Sequence, residues 1–318
     1  MPIRIAGKRT SLNLKDCIFP VRAYWDLTPA PLNAPVDHLK TCEEIVRNKV
    51  LSVDLADANI PLSKTVIEIL ERLSGENVTV SLTISGELLN PSTVSLLRRF
   101  NVRAVFFGVS SLEEVAATID KMREYDRTVS DGASWRIGHR WGISFNVCKT
   151  NYRKLPEAVS VCVRNRVPRF VVPMQRLVGN RECIYVSEEE RQELALKVSG
   201  VEWENGAIAI HDPFLWRVFY PGVQFPEGGC QGANSMFYIS PEGDVYPCPS
   251  LPVKLGSLQD SSLKDIMLSP QKKELRERLL RPPAECLDCN EVDRCAGGCR
   301  GRAYVSSGSL NVHDPACG

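Results

Sequence analysis

Seven of the twelve cysteines fall near one end of the chain, in the order Cys230, Cys248, Cys286, Cys289, Cys295, Cys299 and Cys317. Thiolates are soft ligands for iron–sulfur clusters and for zinc, and a CxxC turn such as Cys286-x2-Cys289 brings two sulfurs to one site from one loop. A lone CxxC says little. Here Cys295 and Cys299 extend it, and Cys230 and Cys248 flank a hairpin from Met236 to Cys248 whose Pro241 and Gly243 supply the turn. Gly297 and Gly298 let the backbone pass close to a bulky inorganic core, since neither carries a Cβ. Zinc is the alternative metal, with His313 as a nitrogen ligand. A disulfide framework fits poorly, because nothing at the N-terminus reads as a secretory signal and such bridges are rare in reducing compartments.

The elements that must position these thiols alternate strand and helix. Residues 21–27, 49–55, 77–84, 102–108, 142–148 and 168–174 read as short apolar strands. Helices are expected over 36–47, after Ser63, over 90–100 behind Asn90-Pro91, after Ser111-x-x-Glu114, over 154–165, and after Ser187-x-x-Glu190. After Ser63, Val66, Ile69, Leu70 and Leu73 share one face. Repeated βα units mean parallel strands with helices outside, so the fold class is α/β, a partial (β/α)6 TIM-type barrel followed by a small cysteine-rich domain. The expected organisation is a lead segment at 1–20, the barrel at 21–210, a Pro/Gly-rich linker at 211–229 and the cysteine domain at 230–318.

Composition excludes several classes. Of 318 residues 43% are hydrophobic, enough for a substantial core, and 39 lysines and arginines nearly balance 38 aspartates and glutamates. No polyelectrolyte attraction to nucleic acid follows, and no apolar run approaches the ~18 residues that span a bilayer. Cysteine usage and the lack of a signal predict the cytoplasm. His211-Asp212 reads as the structural turn from barrel to tail rather than an acid/base pair. Cys148 and Cys162 fall on apolar faces and read as core thiols, and His139 as a surface residue. The five tryptophans are too dispersed to make a stacking platform.

The tail resembles the SPASM domain, the auxiliary-cluster extension of radical S-adenosylmethionine (SAM) enzymes that often modify peptides. The likeness includes Gly297-Gly298-Cys299-Arg300-Gly301-Arg302-Ala303-Tyr304 and the closing Asp314-Pro315-x-Cys317. It implies two [4Fe–4S] clusters, one closed by Cys286, Cys289, Cys295 and Cys317, the other held by Cys230, Cys248 and Cys299 and one ligand short. Asn234, Ser235 and Met236 stand where an eighth cysteine often lies. Water, hydroxide, an exogenous thiol or a partner's side chain is the expected occupant, with His211 and Cys183 as alternatives that depend on folding.

The same family places a CxxxCxxC loop after the first strand to hold the SAM-binding cluster. Here that strand ends Trp25-Asp26-Leu27-Thr28, and the family offset from Thr28 lands the three ligand positions on Pro31, Pro35 and His38. No cysteine stands between Cys17 and Cys42, and Ala58-Asn59-Ile60-Pro61 replaces the glycine-rich stretch that meets the methionyl end of SAM. SAM binding is therefore not expected. The chain is similar to the SPASM-domain proteins encoded beside a complete radical SAM/SPASM enzyme, such as the partner in the GeoRSP system. The resemblance implies an iron–sulfur companion of that enzyme and of its precursor peptide, which uses its clusters for electron transfer or docking. The alternatives are a free-standing redox or Lewis-acid enzyme working through an open iron, and a binding module stapled by metal.

Overall fold

The computed structural model describes residues 19–28, 36–56, 63–100, 102–128, 141–179, 182–199, 207–225 and 229–317. The first part alternates β1 (Arg22–Asp26), α1 (His38–Arg47), β2 (Ser52–Ala56), α2 (Lys64–Ser74), β3 (Thr79–Ile84), α3 (Pro91–Arg99), β4 (Ala104–Val109) and α4 (Leu112–Thr128). It continues with β5 (Trp141–Phe145), α5 (Leu155–Arg164), β6 (Arg169–Val172), α6 (Glu188–Val198), β7 (Ala207–Ile210) and α7 (Pro213–Phe219). Strands β1 to β7 pair in sequence and in parallel, which gives the α/β partial barrel its curved sheet.

Local chemistry sets the helix starts. Ser63 Oγ accepts from the Val66 amide at 3.2 Å, and Asn90 Oδ1 accepts from the Thr93 amide at 2.9 Å ahead of Pro91. Ser187 and Glu190 form a reciprocal capping box. Val66, Ile69, Leu70 and Leu73 of α2 are all buried, as their spacing requires. In β1, Ala23 and Trp25 are buried in the core, while Arg22, Tyr24 and Asp26 share the other face.

Three features differ from the sequence expectation. β7 is a seventh parallel strand, a run of only four residues in which Ile208 and Ile210 are half buried and Ala207 and Ala209 exposed. Residues 211–229, expected as a linker, hold α7, because Pro213 sits at the first helical turn, where its missing N–H costs nothing. Phe214, Leu215 and Val218 of α7 are buried. Cys148 is not a core thiol: it lies past the end of β5, half exposed, with its sulfur 3.1 Å from Thr150 Oγ1. Cys162 is buried as expected.

The tail joins the barrel sheet. β8 (Met236–Ile239) pairs in parallel with β1, Arg22 opposite Met236 and Trp25 opposite Ile239, then turns through Gly243 (φ +81°) into antiparallel β9 (Asp244–Tyr246) and β10 (Gly256–Ser257). Among the described residues β7 ends one side of the sheet and β10 the other, so the barrel stays open. The helices α8 (Leu263–Leu268), α9 (Pro270–Leu280), α10 (Val292–Cys295) and α11 (Arg300–Ser307) complete the tail. Glu44 of α1 accepts the Leu263 amide of α8 at 2.7 Å, which ties tail to barrel away from the sheet. No helix among the described residues is long and apolar enough to cross a membrane.

Helix α11 rests directly on the loop after Cys248. A Cβ on Gly301 would lie 2.1 Å from the Ser250 carbonyl oxygen and 2.4 Å from its carbon, both backbone atoms with nowhere to go. Gly301→Ala is therefore expected to lower stability by about 3 kcal/mol, a fall of roughly 4–5 °C in an anaerobic melt. An unchanged melting temperature would refute this packing.

Candidate iron–sulfur centres

Each thiol sits where a chain reversal aims it. Cys248 follows β9, Cys286 and Cys317 close short 3-10 turns (Ala284–Cys286 and Pro315–Cys317), Cys295 ends α10, and Cys299 is the residue before α11. Interactions between the sulfurs fall into two groups. Cys248 feels Cys230 and Cys299, while Cys286 feels Cys317 and Cys289, and Cys295 feels Cys317 and Cys286. Burial pushes the Cys299 thiol up to about 12 and the Cys248, Cys286, Cys295 and Cys317 thiols above their usual value. Such thiols stay protonated in the bare protein and become thiolates when a metal displaces the proton.

Backbone donors are aimed at three of the sulfurs. The Ser250 and Leu251 amides donate to Cys248, the Gly297 and Gly298 amides to Cys295, and the Arg302 amide, in the first turn of α11, to Cys299. N–H donation to thiolate sulfur is a standard lever on cluster potential. Gly297 (φ +91°) and Gly298 (φ +71°) serve this turn. What a side chain there would strike is protein: a Cβ on Gly298 would lie 2.7 Å from the Asp314 Cβ, and one on Gly297 would lie 2.7 Å from the Pro283 ring.

Two buried guanidiniums flank the thiols. Arg302 is 2% exposed, donates twice to Asp314 at 2.7 Å and also pairs with Asp212. Asp314 Oδ2 in turn accepts the Cys299 amide at 2.8 Å, and its Oδ1 accepts the Ala316 amide at 3.0 Å. Arg300 is 1% exposed and bonds only to carbonyls, those of Arg281 at 2.9 Å, Ala296 at 3.2 Å and Leu310, while its Nε is buried with no partner among the described residues. Its charge acts on Cys230 of one group and Cys286 of the other. A buried cation with no carboxylate beside it needs negative charge nearby, and thiolate-ligated clusters on both sides would supply it.

A cavity of about 360 Å³ lies against the first group, walled by Cys230, Cys248 and Cys299 from the tail and by Met174 and His211 from the ends of β6 and β7. Among the described residues no three Cys, His, Asp or Glu side chains converge closely enough to hold a single ion. Zinc would need its four donors within about 2.3 Å of one point. Thiols spread around a cavity fit a cluster with iron at several corners better than they fit that alternative.

The other singled-out residues are placed as follows. His211 is exposed and lines the cavity. Asp212 caps α7, accepting from the Phe214 and Leu215 amides at 2.9 Å, so the dipeptide is not an acid/base pair. Met236 reaches the cavity wall, whereas Asn234 and Ser235 are buried behind it. Cys183 is half buried beside Ser306, and His313 pairs with Glu285 at 2.6 Å. His38 opens α1 against Trp25, with ring centroids 5.8 Å apart. Pro31, Pro35, Ala58, Asn59, Ile60, Pro61, Cys17 and His139 lie outside the described residues.

One constellation has no sequence signal. Asp26, 1% exposed at the end of β1, is held by Arg176 at 2.5 Å from beyond β6 and by the Tyr238 hydroxyl of β8 at 2.9 Å. Arg300 and Arg302 are equally silent, since nothing in a sequence marks an arginine as buried.

Residues 230–290 match the SPASM iron–sulfur cluster-binding domain. Residues 230–290 are a SPASM domain. The match includes Cys230, Cys248, Cys286 and Cys289 and ends before Cys295. AdoMet-dependent heme synthases of Methanosarcina barkeri and Oleidesulfovibrio alaskensis are each 33% identical over 100 residues, 30% of this chain. The aligned stretch spans only 27% and 24% of those proteins. Streptococcus suis SuiB superposes with a TM-score of 0.64 at 17% identity, over 94% of this chain and 77% of SuiB. The anSMEcpe structure with bound AdoMet superposes with a TM-score of 0.63 at 14% identity, over 94% of each chain. At these identities the likeness is one of fold, and it covers the barrel and the SPASM tail together.

If Arg300 balances anionic groups on both sides, Arg300→Gln makes each harder to reduce. The expected shift of both midpoints is to more negative potential by roughly 50 mV, about 1 kcal/mol of lost attraction. Unchanged potentials in an anaerobic redox titration would remove this role.

Proposed function

We propose that the chain is an iron–sulfur companion of a radical SAM/SPASM peptide-modifying enzyme, carries two auxiliary clusters, and does not itself cleave SAM. The observation that carries this reading is a mismatch within one chain. The barrel-plus-tail fold is kept over 94% of its length, yet no cysteine stands between Cys17 and Cys42 to furnish the SAM-cluster loop. The end of β1, where the resemblance places that loop, is spent on structure: Asp26 is tied across the sheet by Arg176 and Tyr238, and His38 packs on Trp25.

In this reading Cys286, Cys289, Cys295 and Cys317 hold a closed four-thiolate cluster, and Cys230, Cys248 and Cys299 hold a second. Bound there, the clusters supply one-electron transfer. The residues of the chain bury Cys248 and half bury Cys299 against the cavity, donate N–H bonds to their sulfurs, and surround the group with Arg300 and Arg302. A barrel that keeps its form without a cofactor loop is kept for its surface, which suits docking of the partner enzyme or its precursor peptide.

A second reading, a free-standing redox enzyme, is favoured by the 33% identity to proteins named AdoMet-dependent heme synthase and by the cavity beside the three thiols. It differs in requiring turnover by the isolated protein.

Anaerobically reconstituted protein should be brown and carry roughly eight irons per chain; colourless protein with stoichiometric zinc would sink the cluster assignment. Incubated with SAM and a strong reductant, it should release no deoxyadenosine above a cluster-free control, and SAM-dependent release read by chromatography would mean a SAM site exists. Mixed anaerobically at micromolar concentration with a radical SAM/SPASM peptide-modifying enzyme from the same source, it should co-elute. Separate elution with no change in either protein's activity would remove the companion role.

A further inference from the structure

We propose that His211 is the fourth protein ligand of the cluster at Cys230, Cys248 and Cys299, binding through a ring nitrogen the iron that lacks a thiolate. The proposal rests on the iron–sulfur reading of that site and replaces the expected solvent or partner ligand with one from the barrel itself.

The first argument is placement. His211 follows the last residue of β7 and lines the same cavity as the three thiols. Its backbone is held on both sides: its amide donates to the Val172 carbonyl at 3.0 Å, which continues the β6–β7 ladder, and Asp212 is pinned by capping α7 and by Arg302. A side chain on so fixed a backbone is aimed before any metal arrives.

The second argument is elimination along the wall. Cys295 also lines the cavity but belongs with the thiols of the other group, and each remaining polar side chain with a lone pair is engaged. Asp212 Oδ1 accepts two amides and Oδ2 faces Arg302. The Gln175 amide both donates to and accepts from the Ile184 backbone. Gln231 Oε1 accepts from Asn234 at 3.0 Å, and Ser250 Oγ donates to the Gln175 carbonyl at 2.5 Å. Met174 and Met236 offer only thioethers, which suit soft cuprous ions better than ferric iron, whereas imidazole suits iron. Neither ring nitrogen of His211 makes a hydrogen bond among the described residues. Cys183, the other folding-dependent alternative, is not part of this wall.

The test is pulsed electron paramagnetic resonance on reduced, anaerobically reconstituted full-length protein in which only histidine carries ¹⁵N. A directly bound imidazole gives a strong nitrogen coupling that changes from the ¹⁴N to the ¹⁵N pattern on labelling. It should be lost in His211→Ala and kept in His313→Ala. His211→Cys should keep the iron content and lose the coupling. Cyanide should perturb the spectrum of His211→Ala and leave the unsubstituted protein unchanged. A reconstituted cluster with no histidine nitrogen coupling, or with a coupling that survives His211→Ala, overturns the proposal and leaves the cluster reading intact. Should His211→Ala fail to fold, the labelling pattern of the unsubstituted protein and the His211→Cys variant decide. Failure to take up iron at all overturns both the proposal and the reading beneath it.

Discussion

The buried ion triad of Arg302, Asp212 and Asp314 is the interaction on which the geometry of the candidate site depends. Arg302 is 2% exposed and Asp314 is fully buried, so neither charge can fall back on water. Removing one member of such a set costs about 3–5 kcal/mol, because it strands the others in a poor solvent for charge. What the triad holds is functional geometry. Asp314 fixes the amide of Cys299 and, through Ala316, the turn that carries Cys317, while Asp212 fixes the start of α7 next to His211. One guanidinium thus sets the positions of both thiol groups relative to the barrel.

A second constraint runs through the sheet. β8 belongs to the SPASM tail in sequence, yet it pairs with β1 along its whole length, and Tyr238 on β8 reaches Asp26 on β1. The tail is therefore an edge of the barrel sheet, continuous with it through a hydrogen-bonded ladder. Cys230 and Cys248, which flank this hairpin, take their orientation from β1, and Gly301 takes α11 to within backbone contact of the loop after Cys248. A shift of β1 would move the thiols with it, which ties the geometry of the thiol site to the barrel.

The electrostatics of the site follow from burial. Cys248 is buried and Cys299 half buried against the cavity, and both disfavour the thiolate form, so the site is poised for a cation of high charge. Arg300, bonded only to carbonyls, lies within the field of both thiol groups and adds positive charge where reduction would add an electron. Low dielectric makes this charge count for more than it would at the surface. An electron shared between two centres would feel the same arginine from either side.

The sequence by itself determined the α/β class and the thiol chemistry, because both are written in local patterns: apolar runs of strand length, helix caps such as Ser63 and Ser187, and cysteines at fixed spacing. Tertiary structure decided what depends on residues distant in the chain. That β8 would lie beside β1 depends on contacts more than 200 positions apart. The role of Pro213 as a helix starter rather than a breaker depended on Asp212 being free to cap α7. No local signal distinguishes Arg300 and Arg302 from the exposed arginines of the same chain, since burial is a property of the assembled fold and the cost of burying a charge is met only by groups that folding brings to it.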